Sequence, residues 1–195
     1  MLYGGVATGD EEIEAMLIKK DDASLLVVDI QERLAPHMAE TDRVVANSCV
    51  LLDAAKRLGV PVLVSEQYPR GLGPTEPAVA AHVPDGTVVE KVHFSCVGEP
   101  GFPERLGALG RRQAVVCGIE AHVCVLQTVE DLLARGTEVF VVADATSSRT
   151  RANHDAALER MRASGARVVT TEMVVFEWLE KAGTPEFKEL SALIK

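Results

Sequence analysis

Aromatic side chains are scarce in this chain, with one Trp, two Tyr and five Phe, together 4% of the residues. Recognition of a large ligand draws on such side chains, so the expected substrate is a small molecule. Positive charge is also short: 20 Lys and Arg stand against 29 Asp and Glu, for a formal net charge of -9 and a pI near 5.1. Phosphate-backbone binding depends on clustered cations that release counterions, and nucleic acid is therefore not an expected partner. Paired cysteines are missing. Cys49, Cys96, Cys117 and Cys124 form no Cys-x-x-Cys and meet no His cluster at zinc-finger spacing, which argues against a disulfide framework or a structural zinc site. The thiols read as reduced and the chain as cytoplasmic. No apolar run reaches the length of a membrane span, so no membrane partner is expected. The start, MLYGGVATGDEEIEAMLIKK, lacks the basic opening and apolar stretch of a secretory signal, and its Asp10, Glu11, Glu12 and Glu14 argue against a transit peptide.

What is present is the composition of one ordinary domain: 195 residues, 47% hydrophobic and 25% charged, read as a single unit over 1–195. Short β-branched runs recur at Ser24–Val28, Val60–Val64, Thr87–Val89, Ala114–Val116, Thr137–Val142 and Arg167–Val169. Helical periodicity fills the gaps. Val44, Val45, Ser48, Leu51, Leu52, Ala55 and Leu58 share one face before Gly59, and Val125, Leu126, Val129, Leu132 and Leu133 repeat before Gly136. Further helices are expected over about 151–164, closed by Gly165, and over 185–195. Strands this continuously apolar are covered on both faces, as in a parallel sheet wound with helices. The expected fold class is α/β, a three-layer α/β/α domain with a Rossmann-like, mostly parallel six-stranded sheet in the order 3-2-1-4-5-6. Ser65 to Gly86, with four prolines and three glycines, reads as one long irregular connection and a candidate lid or subunit contact.

Ligands of open parallel sheets bind beyond the carboxyl ends of the strands, near the point where strand order reverses. Three chemically able residues stand at such exits: Asp29 in VVDIQE, Lys91 in VVEKVHF, and Cys124 in CGIEAHVC. Moving a proton from a thiol of pKa about 8.5 to a carboxyl of about 3.9 costs roughly 6 kcal/mol unaided. A neighbouring ammonium and a helix N-terminus would both favour a thiolate, so Cys124 is expected to ionise ahead of the other three cysteines.

The ordered set, Asp-x-Gln after the first strand, Lys after the third and Gly-Ile-Glu-Ala-His-Val-Cys before a helix, resembles the isochorismatase-like cysteine hydrolases from about Ser24 onward. The stretches Glu66–Gly73 and Asp144–Arg149 are most similar to the isochorismatase domain-containing subgroup. The resemblance implies Cys124 as nucleophile, Asp29 as general base and Lys91 holding both charges. It also implies a cis peptide between Ile119 and Glu120, with the N–H groups of Glu120 and Cys124 forming an oxyanion hole. Nicotinamidases of this group carry an Asp-x-His metal motif after strand two. Here that region reads Ser65-Glu66-Gln67-Tyr68-Pro69, so no metal or other cofactor is expected. Isochorismatases proper lack the cysteine nucleophile and cleave a vinyl ether; Cys124 points instead to amide or related acyl chemistry. A homo-oligomer, dimer or larger, is implied by analogy.

Plainer readings stand beside these. Asp29 alone could brace a turn, and Cys124 alone could be a small buried hydrophobe. Cys117 and Cys49 read as core, and Cys96 as packing with a possible approach to the pocket. Gln31 is a candidate to position backbone around Asp29; with Gln67, Tyr68, Phe94 and His122 it makes up the candidate substrate-binding set, Phe94 fitting a core role equally well. A thiol redox sensor and a catalytically silent scaffold of the same fold remain alternatives to the hydrolase.

Overall fold

The computed structural model describes residues 17–194; the amino-terminal segment read above for targeting signals lies outside them, as does Lys195. Six strands, β1 (Ala23–Val28), β2 (Val62–Gln67), β3 (Val88–Lys91), β4 (Gln113–Ile119), β5 (Glu138–Ser147) and β6 (Arg167–Val169), pair in parallel in the order β3-β2-β1-β4-β5-β6. Eight helices connect or follow them among the described residues: α1 (Thr41–Leu58), α2 (Pro69–Leu72), α3 (Pro77–Ala80), α4 (Phe102–Ala108), α5 (Leu126–Ala134), α6 (Arg151–Ala163), α7 (Thr171–Leu179) and α8 (Pro185–Leu190).

Successive strand residues point to opposite faces, and both faces are apolar, so the sheet has two cores. Leu25, Val27, Val64, Val115, Cys117, Phe140 and Val142 pack toward Leu51 and Leu52 of α1, Val174 and Trp178 of α7, and Leu190 of α8. Leu26, Val28, Leu63, Val116, Val139 and Val141 pack toward Phe102 of α4, Val129 and Leu132 of α5, and Ala157 and Met161 of α6. The expected three layers and strand order are both present. α1 ends as its sequence suggests, on Gly59 in the left-handed region (φ 74°) with its N–H on the Ala55 carbonyl.

Two expectations need correction. The stretch from Ser65 is not one irregular connection: β2 continues to Gln67, α2 and α3 each form a single turn on a proline start, and Gln31 and Thr75 make an antiparallel bridge. Buried Glu66 ties it down, accepting from the Thr75 N–H (2.6 Å) and hydroxyl (2.7 Å). The terminal helix is shorter than read, ending at Leu190 before turns. α4 and α7 were not anticipated at all.

Because the order reverses between β1 and β4, their exits open a crevice at the centre of the sheet. Gly118 of β4 closes the two strands together there. Its φ is +120°, and a Cβ at that position would lie 2.1 Å from the Val28 carbonyl oxygen.

Candidate active site

Asp29 follows β1 directly. Its N–H extends the ladder to the Ser65 carbonyl (3.1 Å), and the Gln31 N–H then turns back onto the Asp29 carbonyl (2.8 Å). That tight turn places Asp29 at φ 52°, a left-handed conformation that Asp tolerates better than most residues, and the residue is fully buried.

Lys91, the last residue of β3, reaches it. The ammonium donates to Asp29 Oδ2 at 2.7 Å, to Gln67 Oε1 at 2.6 Å, and to the carbonyls of His93 and Phe94 at 3.2 and 3.1 Å. Burial opposes its charge, but the Asp29 carboxylate, the Cys124 and Cys96 thiols and the hydrogen bond to Asp29 together outweigh that and hold the Lys91 pKa above its ordinary value. The lysine is therefore a fixed cation with its donors engaged, not a proton acceptor. The other carboxylate oxygen, Oδ1, accepts from the Ser65 hydroxyl at 2.7 Å.

Cys124 faces the same carboxylate and is 5% exposed. Burial pushes its thiol pKa far up, the charge of Asp29 and a side-chain hydrogen bond to it push in the same direction, and Lys91 pulls the other way without prevailing. That direction is opposite to the expected early ionisation of Cys124: desolvation exceeds the help of one ammonium already paired with Asp29.

Cys124 sits in a π-helical turn, Ala121–Val125, that leads into α5. Widened turns of this kind are frequent at functional sites. The preceding Ile119–Glu120 peptide is cis. The Glu120 side chain is gripped by Arg149 through two bonds, 2.9 and 2.8 Å, which anchors the start of the turn to the exit of β5. His122 Nδ1 contacts the Ser148 hydroxyl at 2.9 Å and its Nε2 lies 3.4 Å from the Asn153 amide, so the ring is held toward α6.

The remaining candidates divide. Gln31 is fully buried and spends its amide on backbone: Nε2 donates to the carbonyls of Gly73 (2.6 Å) and Gln67 (3.0 Å), and Oε1 accepts from the Gln67 N–H (2.7 Å). Gln67 is the end of β2 rather than part of a loop, and its side chain bridges the Lys91 ammonium and the Val92 carbonyl. Tyr68 and Phe94 are each 54% exposed, which removes the core reading of Phe94 and sets both rings at the surface around the Lys91 segment. A cleft of about 350 Å³, lined by Tyr68, Arg70, Lys91, Val92 and Glu99 among others, opens beside them. A second cleft of about 330 Å³, lined by Glu40, Arg43, Asp144, Arg151 and His154 among others, contains none of Asp29, Lys91 or Cys124. Sequence reasoning missed Ser65, which donates to Asp29 Oδ1, and the Glu120–Arg149 pair; Cys96, read as packing that could also approach the pocket, is buried with its thiol 3.4 Å from the Ser65 hydroxyl.

Residues 23–173 match the family model described as the isochorismatase domain. The chain is similar to mouse isochorismatase domain-containing protein 2A, 40% identical over 179 residues that cover 91% of this chain and 85% of the mouse protein. Among solved structures it resembles the MAR1 ribonuclease of Caenorhabditis elegans (TM-score 0.86, 37% identity, 92% of each chain). It also resembles the YcaC gene product of Escherichia coli, an octameric hydrolase of unknown specificity (TM-score 0.86, 26% identity, 91% of this chain and 90% of that one).

Proposed function

The chain belongs to the isochorismatase family, and on that premise we propose that it hydrolyses a small amide or related acyl substrate through a covalent intermediate on Cys124. The observation that carries this reading is a single buried carboxylate, Asp29, held by Lys91 at 2.7 Å, with the buried Cys124 thiol close enough to feel the charges of both. In the first step the thiol proton passes to Asp29 as sulfur attacks the acyl carbon, and the carbonyl electron pair moves to oxygen. The N–H groups of Glu120 and Cys124 receive that oxyanion. Its collapse expels the amine, which takes the proton from Asp29 and leaves a thioester. Water then gives a proton to Asp29 as it attacks, and the departing sulfur takes that proton back. Lys91 keeps its charge throughout and limits the cost of a carboxylate in a dry site.

Nothing in these steps asks for a metal. Among the described residues no group of three or more His, Cys, Asp or Glu side chains is placed to hold one. Substrate contacts would come from the rim, where Tyr68 and Phe94 stand exposed, with His122 and Gln67 nearer the inner groups they bond. The Caenorhabditis elegans relative is called a ribonuclease, but the net charge of -9 gives this chain little attraction for a phosphate backbone. The octameric relative and the exposed Tyr68, Val92 and Phe94 favour a homo-oligomer. All four cysteines are free, which suits the reducing cytoplasm. No helix among the described residues is long and apolar enough to cross a membrane.

Acyl transfer from p-nitrophenyl acetate, followed by peptide mass spectrometry, tests the mechanism. An acetyl group should accumulate on Cys124 in preference to Cys49, Cys96 and Cys117, and its formation at pH 7 should fall by about 100-fold or more in Asp29→Asn, the usual scale of a general-base contribution. Acetylation of Cys124 that is indifferent to Asp29→Asn would leave the redox or scaffold readings in its place.

A further inference from the structure

Ser65 has no part in the proposed chemistry, yet its hydroxyl is the second buried donor on Asp29, at 2.7 Å. A serine hydroxyl carries one proton and can turn it toward any acceptor; here its direction is set. The buried Cys96 thiol lies 3.4 Å from Ser65 Oγ. Burial and the nearby Asp29 charge keep that thiol protonated, so it is the donor of the pair and Ser65 must give its own proton to Asp29. Cys96 is itself fixed, because its N–H donates to the buried Thr128 hydroxyl of α5 at 2.9 Å. Thr128 of α5, Cys96 after β3, Ser65 of β2 and Asp29 after β1 thus form one chain of contacts.

We propose that Ser65, oriented by Cys96, is a positioning residue that holds the Asp29 carboxylate ionised and in the orientation from which it accepts the Cys124 proton. This rests on the reading of Asp29 as general base. Hydrogen bonds to a charged group are worth more than neutral ones, and beside the reacting thiol Asp29 accepts one on each oxygen, from Lys91 on Oδ2 and from Ser65 on Oδ1. The titratable groups facing it are Lys91, Cys124 and Cys96. Loss of the Ser65 donor leaves Lys91 alone to favour the charged form.

The test follows iodoacetamide alkylation of Cys124 against pH by peptide mass spectrometry in the full chain. In Ser65→Ala the midpoint of the acid limb should move up by about one pH unit, the scale of one charged hydrogen bond. Ser65→Thr, which keeps the hydroxyl, should return it to the wild-type position, and Cys96→Ala should move it in the same direction by less. An unmoved midpoint in Ser65→Ala, while Asp29→Asn abolishes the limb, would overturn the positioning role and leave the base intact. A limb that survives Asp29→Asn would remove the base reading and this proposal with it.

Discussion

The Asp29–Lys91 pair stands at full burial, where removing one partner costs more than the pair contributes when whole. Lys91→Ala would leave a carboxylate without its cation, and the expected loss is about 3–5 kcal/mol of unfolding free energy. Lys91→Met combined with Asp29→Asn removes both charges and should be less destabilised than Lys91→Ala alone, since no uncompensated ion remains. Urea unfolding followed by the fluorescence of Trp178, the single and fully buried tryptophan, reads both. A double variant at least as unstable as Lys91→Ala would mean that packing, not charge, sets the cost. Asp29 and Lys91 stand out in the sequence because each is a charged residue at the end of an apolar run, whereas Cys124, in the turn beyond β4, stands out only through the ordered set it completes. Ser65 does not: a serine inside such a run looks like filler, and its partners Asp29 and Cys96 lie 36 and 31 positions away. The direction of the Cys124 pKa was equally hidden, since it depends on how completely the folded chain excludes water.

At the level of elements, the contact between β1 and β4 decides where Asp29 and the cis Ile119–Glu120 peptide sit relative to each other. Val28 and Gly118 are register partners at that contact, and the space for a side chain at Gly118 is filled by Val28 backbone. Gly118→Ala should therefore cost roughly 3 kcal/mol or more, combining a backbone conformation foreign to alanine with an overlap that only moving a strand can relieve. Gly136→Ala is the control: φ is also positive, at 80°, but no atom lies within 4 Å of the added Cβ. It should cost about 1 kcal/mol. Equal shifts in the urea midpoint would mean that β1 yields easily. Of the helices read in advance, α1 and α5 have an apolar stripe and a glycine stop, α6 has the glycine stop with only Ala157 and Met161 buried, and α8 has a proline start. α7 has no such signal. Its sequence, TEMVVFEWL, is apolar on nearly every side, and Val174, Val175 and Trp178 are buried while Met173 and Phe176 stay exposed, so no periodic stripe marks it. α2 and α3 are single turns too short for any periodicity, and their place is fixed by long-range ties such as Glu66 to Thr75.

Across the whole molecule, the perturbed thiols and Lys91 all shift in one direction. Cys117, at the centre of one core, is pushed up by burial to about 12, with the Ser48 hydroxyl opposing weakly, and Cys96, Cys124 and Lys91 are raised as well. A raised folded-state pKa means that the native state keeps its proton where the unfolded chain has already released it. The associated stability is complete below the unfolded-state value, about 9 for a thiol, and is lost as pH climbs toward the folded value. Stability should accordingly hold near neutrality and fall above pH 9, on an already anionic chain that gains further self-repulsion as it loses protons. For Cys117 alone the drop between pH 8 and pH 10 is about 1 kcal/mol. Cys117→Ala separates this from the rest. The lost sulfur lowers stability by a similar amount at both pH values, whereas the titration term disappears, so the difference between the two urea measurements should shrink by about 1 kcal/mol. A pH dependence identical to wild type would mean that water reaches Cys117 on opening motions short of unfolding, and that the core beneath Gly118 is looser than its packing implies.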